Sequence, residues 1–349
     1  MRIAVTGASG NVGTSVLRAL GADPEVEEIV GLARRRPDLS HPKVRWVDAD
    51  VVGDDLVPHL RGARAVIHLA WLIQPSRDRA LTRAVNVDGS ARVFRAAADA
   101  GVDAVVYASS VGAYSPGPKH ARVDEGWPTE GIATSFYARD KADVERLLDR
   151  FERERQEMRV VRLRPGLIFK REAATEIRRL FAGPLLPSPL VRRSLIPVVP
   201  RLERLRFQAV HSDDVGEAYR LAAISDVQGA FNLAAEPVLD SAELGRLLGA
   251  RPVPVPEVAL RAGAWLTWKL RLQPTPPGWV DMALAVPIMD VGRARSELGW
   301  DPRHSAGEAL LELLDGLRQS AGLGTPPLDP DTTAPARSGE ARTGVGARP

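Results

Sequence analysis

Short apolar runs alternate with amphipathic stretches along the first half of the chain. The apolar runs have the length and the β-branched content of strands, and they cover residues 2–6, 27–33, 44–48, 65–70, 103–109 and 159–163. Apolar positions at helical spacing predict helices over residues 11–20, 80–100 and 135–157. Because strands that are apolar on both faces are typical of buried parallel sheets, this alternation predicts an α/β fold with a doubly wound parallel sheet.

The pattern changes after residue 166, where proline becomes frequent. A strand at 206–210, a helix at 213–223 and a strand at 230–233 are predicted to return to the main sheet. Two helices, at 241–249 and 258–270, are predicted to form a smaller cap, and a helix at 310–317 closes the fold.

These elements predict two main units and a tail. Residues 1–165 form a dinucleotide-binding domain with returns at about 206–234, and residues 166–319 form mainly a C-terminal substrate cap and closing elements. Residues 320–349 contain proline, glycine, threonine and arginine but few large apolar side chains, so we expect a disordered tail.

Composition narrows the class of protein. The 349 residues are 44% hydrophobic and 26% charged with a formal net charge of +3, which is ordinary for a globular protein and gives no reason to expect a nucleic-acid partner. The chain has no cysteine, and its six histidines show no metal-ligand spacing, so we expect no metal site. No apolar run reaches the ~18 residues of a membrane span. We expect a cytoplasmic protein without a membrane partner.

The first strand leads directly into a glycine-rich turn. Gly7, Gly10 and Gly13 stand between this strand and a predicted helix that begins near Asn11. Glycine allows a tight turn and a close approach of the backbone to a phosphate, and the helix N-terminus adds N–H donors. A plain strand–helix turn is the simpler interpretation of the glycines alone, but the position after the first strand favours a Rossmann dinucleotide site.

The end of the second predicted strand bears on the choice of nucleotide. An NAD site usually carries a carboxylate there, whereas this chain has Leu32 and Ala33 followed by Arg34 and Arg35. A guanidinium group pairs well with a 2′-phosphate, so NADP is favoured and NAD is the alternative. A second interpretation is that these arginines simply belong to a solvated turn.

Tyr137 and Lys141 are four residues apart in a predicted helix. Residues at this spacing share a helix face, and an ammonium beside a phenol lowers the pKa of the phenol. Such a tyrosine can exchange a proton with a carbonyl or alcohol oxygen near neutral pH. Together with the glycine turn, the pair predicts nicotinamide-dependent redox chemistry on a small-molecule substrate.

Ordered motifs make the chain resemble the extended short-chain dehydrogenase/reductase superfamily, in its epimerase/dehydratase-like branch, over roughly residues 1–319. The motifs are TGASGNVG at 6–13, NVDGS at 86–90, YASSVGAY at 107–114, YARDK at 137–141, RPGLIF at 164–169, VHSDDVGEA at 210–218, FNLA at 231–234 and LGWDP at 298–302. Their number and order make this resemblance more specific than any single motif.

The resemblance implies roles for the matching residues. Tyr137 resembles the catalytic acid/base, Lys141 the residue that lowers its pKa and holds the nicotinamide ribose, and Ser110 the group that polarises the substrate oxygen. Asn86 resembles the asparagine that supports a water relay behind the lysine. The implied cofactor-binding residues are Gly7, Ser9, Gly10, Asn11, Val12, Gly13, Arg34, Arg35, Asp50, Val51, Leu69, Ala70, Lys141, Pro165 and Gly166.

Three functions stay open from the sequence. The preferred one is an oxidoreductase that moves hydride between a nicotinamide cofactor and a carbonyl or alcohol. A nucleotide-sugar epimerase or dehydratase with bound NAD is the first alternative, although Lys170 stands where such members often carry glycine. The second is a non-catalytic NADP-binding sensor. The two long helices at 80–100 and 135–157 could pair with a second copy in a homodimer.

Overall fold

The computed structural model of the chain describes residues 1–182 and 196–330. Its strands are Arg2–Thr6 (β1), Glu28–Ala33 (β2), Val44–Asp48 (β3), Ala65–His68 (β4), Ala104–Ala108 (β5), Arg122–Val123 (β6), Arg159–Pro165 (β7), Leu167–Phe169 (β8), Val198–Arg201 (β9), Phe207–His211 (β10), Gly229–Leu233 (β11), Ala235–Leu239 (β12), Arg251–Pro254 (β13) and Ile288–Met289 (β14). Its α-helices are Asn11–Ala22 (α1), Val57–Leu60 (α2), Arg79–Arg83 (α3), Gly89–Asp99 (α4), Phe136–Glu154 (α5), Ala174–Ile177 (α6), Ser212–Ile224 (α7), Ser241–Leu248 (α8), Glu257–Lys269 (α9), Gly278–Ala285 (α10), Gly292–Ser296 (α11) and Ala306–Gln319 (α12).

Seven strands form one parallel sheet in the order β11-β7-β5-β4-β1-β2-β3. The chain builds outward from β1 through β2 and β3 and then crosses to β4 on the other side. The order therefore reverses between β1 and β4, and the crevice at their carboxyl ends is where such sheets bind ligands. The doubly wound α/β class predicted from the sequence is confirmed.

Helices cover both faces of this sheet. On one face, Leu17 of α1 and Tyr219 of α7 are almost fully buried in the core against β1 and β4. On the other face, Phe94 of α4 and Leu148 of α5 pack against the same strands. Each helix presents one apolar side to the sheet, which is the pattern that the sequence spacing predicted.

The predicted helix over residues 80–100 is continuous but not regular. Residues Arg79–Arg83 and Gly89–Asp99 are α-helical, and a π-helical turn at Ala84–Asp88 joins them. π-helical turns are rare, and they occur frequently at functional sites. This turn contains Asn86, whose side chain is fully buried.

Within residues 1–182 and 196–330, three smaller sheets lie outside the main sheet, and all of their strands except β6 follow β7 in the chain. They have the orders β12-β10-β8, β13-β9 and β14-β6, and only β11 of the later strands joins the main sheet. The strands predicted at 206–210 and 230–233 correspond to β10 and β11. β11 returns to the main sheet as predicted, whereas β10 belongs to a small sheet, so its predicted return is wrong. Residues 183–195, which carry several of the cap prolines, lie outside the described residues.

The prediction of a disordered tail from residue 320 is wrong for residues 320–330. Ser320, the residue after α12, has a left-handed backbone conformation, and the chain then turns back onto the protein. Thr175 Oγ1 donates to the carbonyl oxygen of Ala321 over 2.8 Å, and Leu328 is fully buried. The burial of Leu328 and Thr325 and the hydrogen bonds to the backbone hold this segment, and average composition did not reveal them. Residues 331–349 lie outside the described residues.

Candidate active site

The glycine turn is packed too tightly for any other residue at two of its positions. Gly7 has a φ of +69°, and a Cβ there would lie 2.8 Å from the backbone nitrogen of Ala70. A Cβ on Gly13 would lie 2.4 Å from the carbonyl oxygen of Gly7. Glycine therefore brings the turn against the end of β4 and the start of α1 against the turn.

A cavity of about 730 Å³ opens at the carboxyl ends of β1 to β4. Of the predicted cofactor-binding residues, those that line it are Gly7, Ser9, Gly10, Arg34, Arg35, Asp50, Val51, Leu69 and Ala70. Its volume is within the usual range for a small-molecule or cofactor site. Helix α1 begins at Asn11 without a side-chain cap, so its first-turn N–H groups are suited to a phosphate.

The remaining predicted cofactor residues lie beside the cavity rather than in its wall. Asn11, Val12 and Gly13 form the first turn of α1. Pro165 ends β7, and Gly166 follows where a Cβ would meet the carbonyl oxygen of Gln208 at 2.5 Å. Pro165 and Gly166 therefore lie at the carboxyl edge of the main sheet, where the chain passes close to Gln208 of β10.

Tyr137 and Ser110 form a hydrogen-bonded pair at the same edge of the sheet. Ser110 follows β5, its Oγ accepts a hydrogen bond from the Gly112 N–H over 3.0 Å, and it is hydrogen-bonded to the Tyr137 side chain. The Tyr137 ring also packs against Trp279, with 4.9 Å between the ring centroids. Ser110 is therefore the serine that meets the tyrosine, as the resemblance implied.

Lys141 lies one helical turn after Tyr137, but its ammonium has other neighbours. Its Nζ donates to the carbonyl oxygen of Ala108 over 2.6 Å and lies 3.5 Å from the ring centroid of Trp71. Burial lowers the pKa of Lys141 to about 7, although the carboxylates of Glu145 and Asp140 act in the opposite direction.

The expectation that the phenol of Tyr137 has a lowered pKa is wrong for this structure. Burial raises the pKa of Tyr137, and the hydrogen bond with Ser110 only partly offsets it. The reason is that the Lys141 ammonium is held by Ala108 and Trp71, with its Nζ 5.8 Å from the centre of the Tyr137 ring. Spacing in the helix brought the two residues together but did not fix the direction of their polar atoms.

Asn86 is committed to the backbone that follows β4. Its Oδ1 accepts from the Leu72 N–H over 2.7 Å, and its Nδ2 donates to the Leu72 carbonyl oxygen over 2.8 Å. These two bonds occupy both ends of the side-chain amide. The geometry shows that Asn86 holds the loop beside Lys141, and the implied water relay stays a prediction.

A buried ionic cluster supports the helix that carries Tyr137. Glu145 is fully buried and accepts hydrogen bonds from Arg164, at 2.9 Å to each of its two oxygens, and from Arg162 at 3.0 Å. Burial acts to raise the pKa of Glu145, but the two guanidinium groups and the Ser109 hydroxyl hold it at about 2. Ser109 is thereby a structural residue, which separates its role from that of Ser110.

His68 has a structural role at the end of β4. One ring nitrogen is bonded to Thr6 Oγ1 at 2.7 Å and the other to Ser90 Oγ at 2.9 Å. Burial, together with the nearby charge of Lys141, lowers the pKa of His68 to about 3, so the ring is neutral. A buried and fully bonded imidazole is not placed to act as a base on a ligand.

Two parts of the site were not among the predicted site residues. Trp279 of helix α10 packs on Tyr137. No local sequence pattern predicts this contact, because the two residues are far apart along the chain. Residues 324–327 and Asp329 line the nucleotide cavity, and Arg179 Nη2 donates to the Pro327 carbonyl oxygen over 2.8 Å. We call residues 321–330 the C-terminal strap. Its sequence resembles a tail, so only the fold reveals its position.

Within residues 1–182 and 196–330, no group of three or more histidine, aspartate or glutamate side chains is arranged to hold a metal ion. In the same part of the chain, no helix combines the length and the apolar character needed to span a bilayer.

The sequence model of the NAD dependent epimerase/dehydratase family matches residues 3–234. An uncharacterized protein of Mycobacterium tuberculosis is 28% identical over 327 residues, which are 93% of this chain and 31% of that protein. The chain thus spans about a third of the length of this curated relative.

Solved structures share the fold. The UDP-glucose 4-epimerase of Thermotoga maritima, solved with UDP-glucose, is 20% identical with a TM-score of 0.68 over 92% of this chain and 99% of that one. The dTDP-glucose 4,6-dehydratase of Streptomyces venezuelae, solved with NAD, is 22% identical with a TM-score of 0.67 over 91% and 97% of the two chains.

Proposed function

This chain belongs to the NAD dependent epimerase/dehydratase family, and from that premise we propose that it is an NAD(P)-dependent oxidoreductase. It transfers hydride between a nicotinamide cofactor and the carbonyl or alcohol carbon of a small substrate. The observation that carries the proposal is the hydrogen-bonded pair of Ser110 and Tyr137 with Lys141 one turn later. This group lies at the same sheet edge as the glycine turn.

The residues at that edge fit a dinucleotide. Gly7 leaves no room for a side chain between the turn and Ala70, so only backbone faces a ligand there. The uncapped start of α1 offers N–H groups and the positive end of its dipole to a diphosphate. A buried oxygen of Asn11, Oδ1, has no partner among the described residues, which is consistent with a polar ligand at the first turn.

The catalytic residues would act on the oxygen of the reacting carbon. A bound nicotinamide supplies or accepts the hydride. Tyr137 gives a proton to the substrate oxygen during reduction or takes it during oxidation, and the Ser110 hydroxyl donates a hydrogen bond to the developing oxyanion. Because burial raises the pKa of Tyr137, the phenol carries its proton near neutral pH, which suits it to the donor role in reduction.

NADP is the cofactor that we propose for this reaction. Arg34 and Arg35 follow β2 and line the cavity, and the end of that strand carries Ala33 in place of a carboxylate. A guanidinium forms strong, often bidentate hydrogen bonds with a phosphate. NAD is the alternative, since the family description and the solved relatives name that dinucleotide.

The second candidate function is a nucleotide-sugar epimerase or dehydratase. It is favoured by the family match and by the fold shared with a UDP-glucose 4-epimerase. Such an enzyme keeps its cofactor through each cycle, whereas a simple oxidoreductase exchanges it. Mass spectrometry of the gently purified protein separates the two, because retained stoichiometric NAD favours the epimerase or dehydratase.

The test of the proposed chemistry is Tyr137→Phe. We expect turnover on a panel of small carbonyl compounds to be lost while NADPH binding, measured by fluorescence, is unchanged. Tyr107→Phe is the matched control, because the Tyr107 hydroxyl is buried and makes no hydrogen bond within the described residues. A Tyr137→Phe protein with unchanged turnover would refute the role of Tyr137.

Two further expectations from the sequence stay predictions. A cytoplasmic location would be tested by fractionation of the native host. A homodimer formed through Arg79–Asp99 and Phe136–Glu154 would be tested by light scattering at several concentrations. A non-catalytic NADP sensor would bind NADPH yet turn over no substrate in the panel, and the presence of Ser110, Tyr137 and Lys141 weighs against it.

A further inference from the structure

The indole ring of Trp71 contacts both the cavity and the catalytic residues. Trp71 lines the cavity, its ring centroid lies 3.5 Å from the Lys141 ammonium, and it contacts the Tyr137 ring edge-on at 5.9 Å between centroids. A cation at this distance from an aromatic face is attracted by the ring quadrupole, most strongly for tryptophan. A single side chain thus touches the cavity, the lysine and the tyrosine.

The backbone beside this ring is held through the next residue, Leu72. Asn86 binds both the N–H and the carbonyl oxygen of Leu72, at 2.7 Å and 2.8 Å. Ser90 Oγ in turn donates to the Asn86 carbonyl oxygen, and Asn86 lies in the π-helical turn. The backbone is therefore held at two points one residue after Trp71, which fixes the loop from which the ring reaches Lys141.

Trp71 differs from the structural tryptophans of this chain. Trp46 Nε1 donates to the Leu39 carbonyl oxygen over 2.8 Å, and Trp300 Nε1 donates to that of Asp214 over 2.7 Å. Trp71 Nε1 is buried and, like the Nε1 atoms of Trp268 and Trp279, has no acceptor among the described residues; of these three side chains, only that of Trp71 lines the cavity of about 730 Å³. Buried tryptophans usually find such a partner, so an unpaired N–H at the wall of a cavity is typical of a binding site.

We propose that Trp71 is a positioning residue, which holds the Lys141 side chain in place and keeps it in its ammonium form while the cofactor is absent. The proposal rests on the proposed function for the role of Lys141. The ring face and the Ala108 carbonyl oxygen both contact the buried ammonium. Asn86 acts through Trp71, which gives its buried amide a function.

Other charged and titratable groups also face Lys141, and they set the direction of the effect. They are Asp140, Glu145 and Tyr137 on α5, His68 on β4 and Tyr107 on β5. The two carboxylates favour the ammonium, and the neutral imidazole of His68 adds no charge. Burial is the largest influence and lowers the pKa of Lys141 to about 7. Loss of the Trp71 face removes a contribution that opposes this burial, so the pKa should fall further.

The experiment uses the small number of lysines. The chain has five, Lys43, Lys119, Lys141, Lys170 and Lys269, so a protein labelled with ¹³C at the lysine ε-carbon gives five resonances. Single Lys→Arg variants assign the resonances of Lys119, Lys141 and Lys170, whose pKa values are all lowered by burial. Titration of the cofactor-free protein then reports the midpoint of Lys141 directly, without any activity assay.

We expect Trp71→Leu to lower the midpoint of Lys141 by about one pH unit, which is about 1.4 kcal/mol, and to leave that of Lys170 unchanged. Trp71→Phe keeps an aromatic face and should restore part of the shift. Asn86→Ala should shift the midpoint in the same direction because it releases the loop. Trp265→Leu is the matched control, since Trp265 is 48% exposed on α9.

An unchanged Lys141 midpoint in folded Trp71→Leu protein would overturn the proposal, as would an equal shift in Trp71→Phe and Trp71→Leu. Circular dichroism confirms that each variant is folded. If Trp71→Leu does not fold, the Lys141 midpoint is measured in Trp71→Phe instead. These results are independent of Tyr137→Phe. An active Tyr137→Phe protein would refute the proposed function, while the titration would still report whether Trp71 holds Lys141.

Discussion

Lys170 Nζ donates a hydrogen bond to Thr14 Oγ1 over 2.6 Å, and this contact ties the end of β8 to the first turn of α1. The same ammonium also donates to the Asn11 carbonyl oxygen at 2.7 Å and to Ser15 Oγ at 3.2 Å. The side chain is fully buried, and burial lowers its pKa to about 8. A buried cation therefore holds the start of the helix that follows the glycine turn.

Replacement of Lys170 by methionine should destabilise the protein. The change removes the donor to Thr14 Oγ1, whereas the Asn11 carbonyl oxygen and Ser15 Oγ keep other donors. A buried group that is left without a partner costs about 1–3 kcal/mol. We expect a loss of about 2 kcal/mol in the free energy of unfolding, measured by urea denaturation. Lys269→Met, at the exposed end of α9, is the matched control and should change little. Equal stabilities of the two variants would contradict the importance of the buried contacts.

Replacement of Glu145 by glutamine should remove a stabilisation that depends on pH. The folded-state pKa of about 2 is below the unfolded value near 4.3, so the carboxylate stabilises the fold above pH ~4.3 and this contribution disappears as pH falls through about 2. Removing one partner of a buried ionic cluster costs about 3–5 kcal/mol. We therefore expect a large loss at pH 7 and a smaller one at pH 2.5, measured by thermal unfolding.

Glu154 on the same helix provides the control for this change. Its side chain is exposed, so Glu154→Gln should leave stability almost unchanged at both pH values. A Glu145→Gln protein whose deficit is the same at pH 7 and pH 2.5 would show that the charge of Glu145 is not what its guanidinium partners need.

The double change Arg34→Ala and Arg35→Ala should weaken NADPH binding more than NADH binding. Loss of charge-assisted hydrogen bonds to a 2′-phosphate costs about 1.5–3 kcal/mol, or roughly ten- to hundredfold in affinity. Fluorescence titration with each reduced cofactor measures the two dissociation constants. Arg153→Ala, at the exposed end of α5, is the control. An equal loss for both cofactors would argue against NADP selectivity at these residues.

Replacement of Leu328 by alanine should loosen the C-terminal strap. Because the Leu328 side chain is fully buried, it is the main apolar anchor of residues 321–330. The Leu323 N–H also donates to the Leu328 carbonyl oxygen over 3.0 Å. A Leu→Ala change in a packed site costs about 2–5 kcal/mol, but detachment of the strap alone limits the loss. We expect faster hydrogen exchange in residues 321–330 with the main sheet unchanged. Unaltered exchange there would contradict this anchoring.

Local patterns were sufficient to predict the frame of the molecule. The run at 2–6 is buried as β1, and the helix that carries Tyr137 and Lys141 begins at Phe136, one residue after its predicted start, where the Ala138 N–H donates to Ser135 Oγ. Apolar period and capping chemistry are properties of neighbouring residues, so the sequence reports them directly. The packing of Gly13 against the Gly7 carbonyl oxygen is local in the same way, whereas the contact of Gly7 with Ala70 depends on a residue far along the chain.

What could not be predicted depends on contacts between distant residues. Trp279 and Tyr137 are in contact although 142 positions separate them, and no local period records this. The pKa of Tyr137 depends on burial and on the direction of the Lys141 side chain, neither of which follows from the spacing of four. The order of the C-terminal strap was not predicted, because a leucine in a proline-rich segment anchors the chain only where the fold provides a matching recess.

The π-helical turn at Ala84–Asp88 shifts the phase of its helix. A π turn closes its hydrogen bond over five residues instead of four, so it accommodates one residue more than an α turn. Deleting a single residue between 84 and 88 would remove the extra residue and leave an unbroken α-helix whose two ends keep their faces, whereas a deletion in an α-helical part would rotate one end by about 100° relative to the other. Alignments of distant relatives across this helix should therefore allow a one-residue gap, because without it the position equivalent to Asn86 would be assigned to the wrong face.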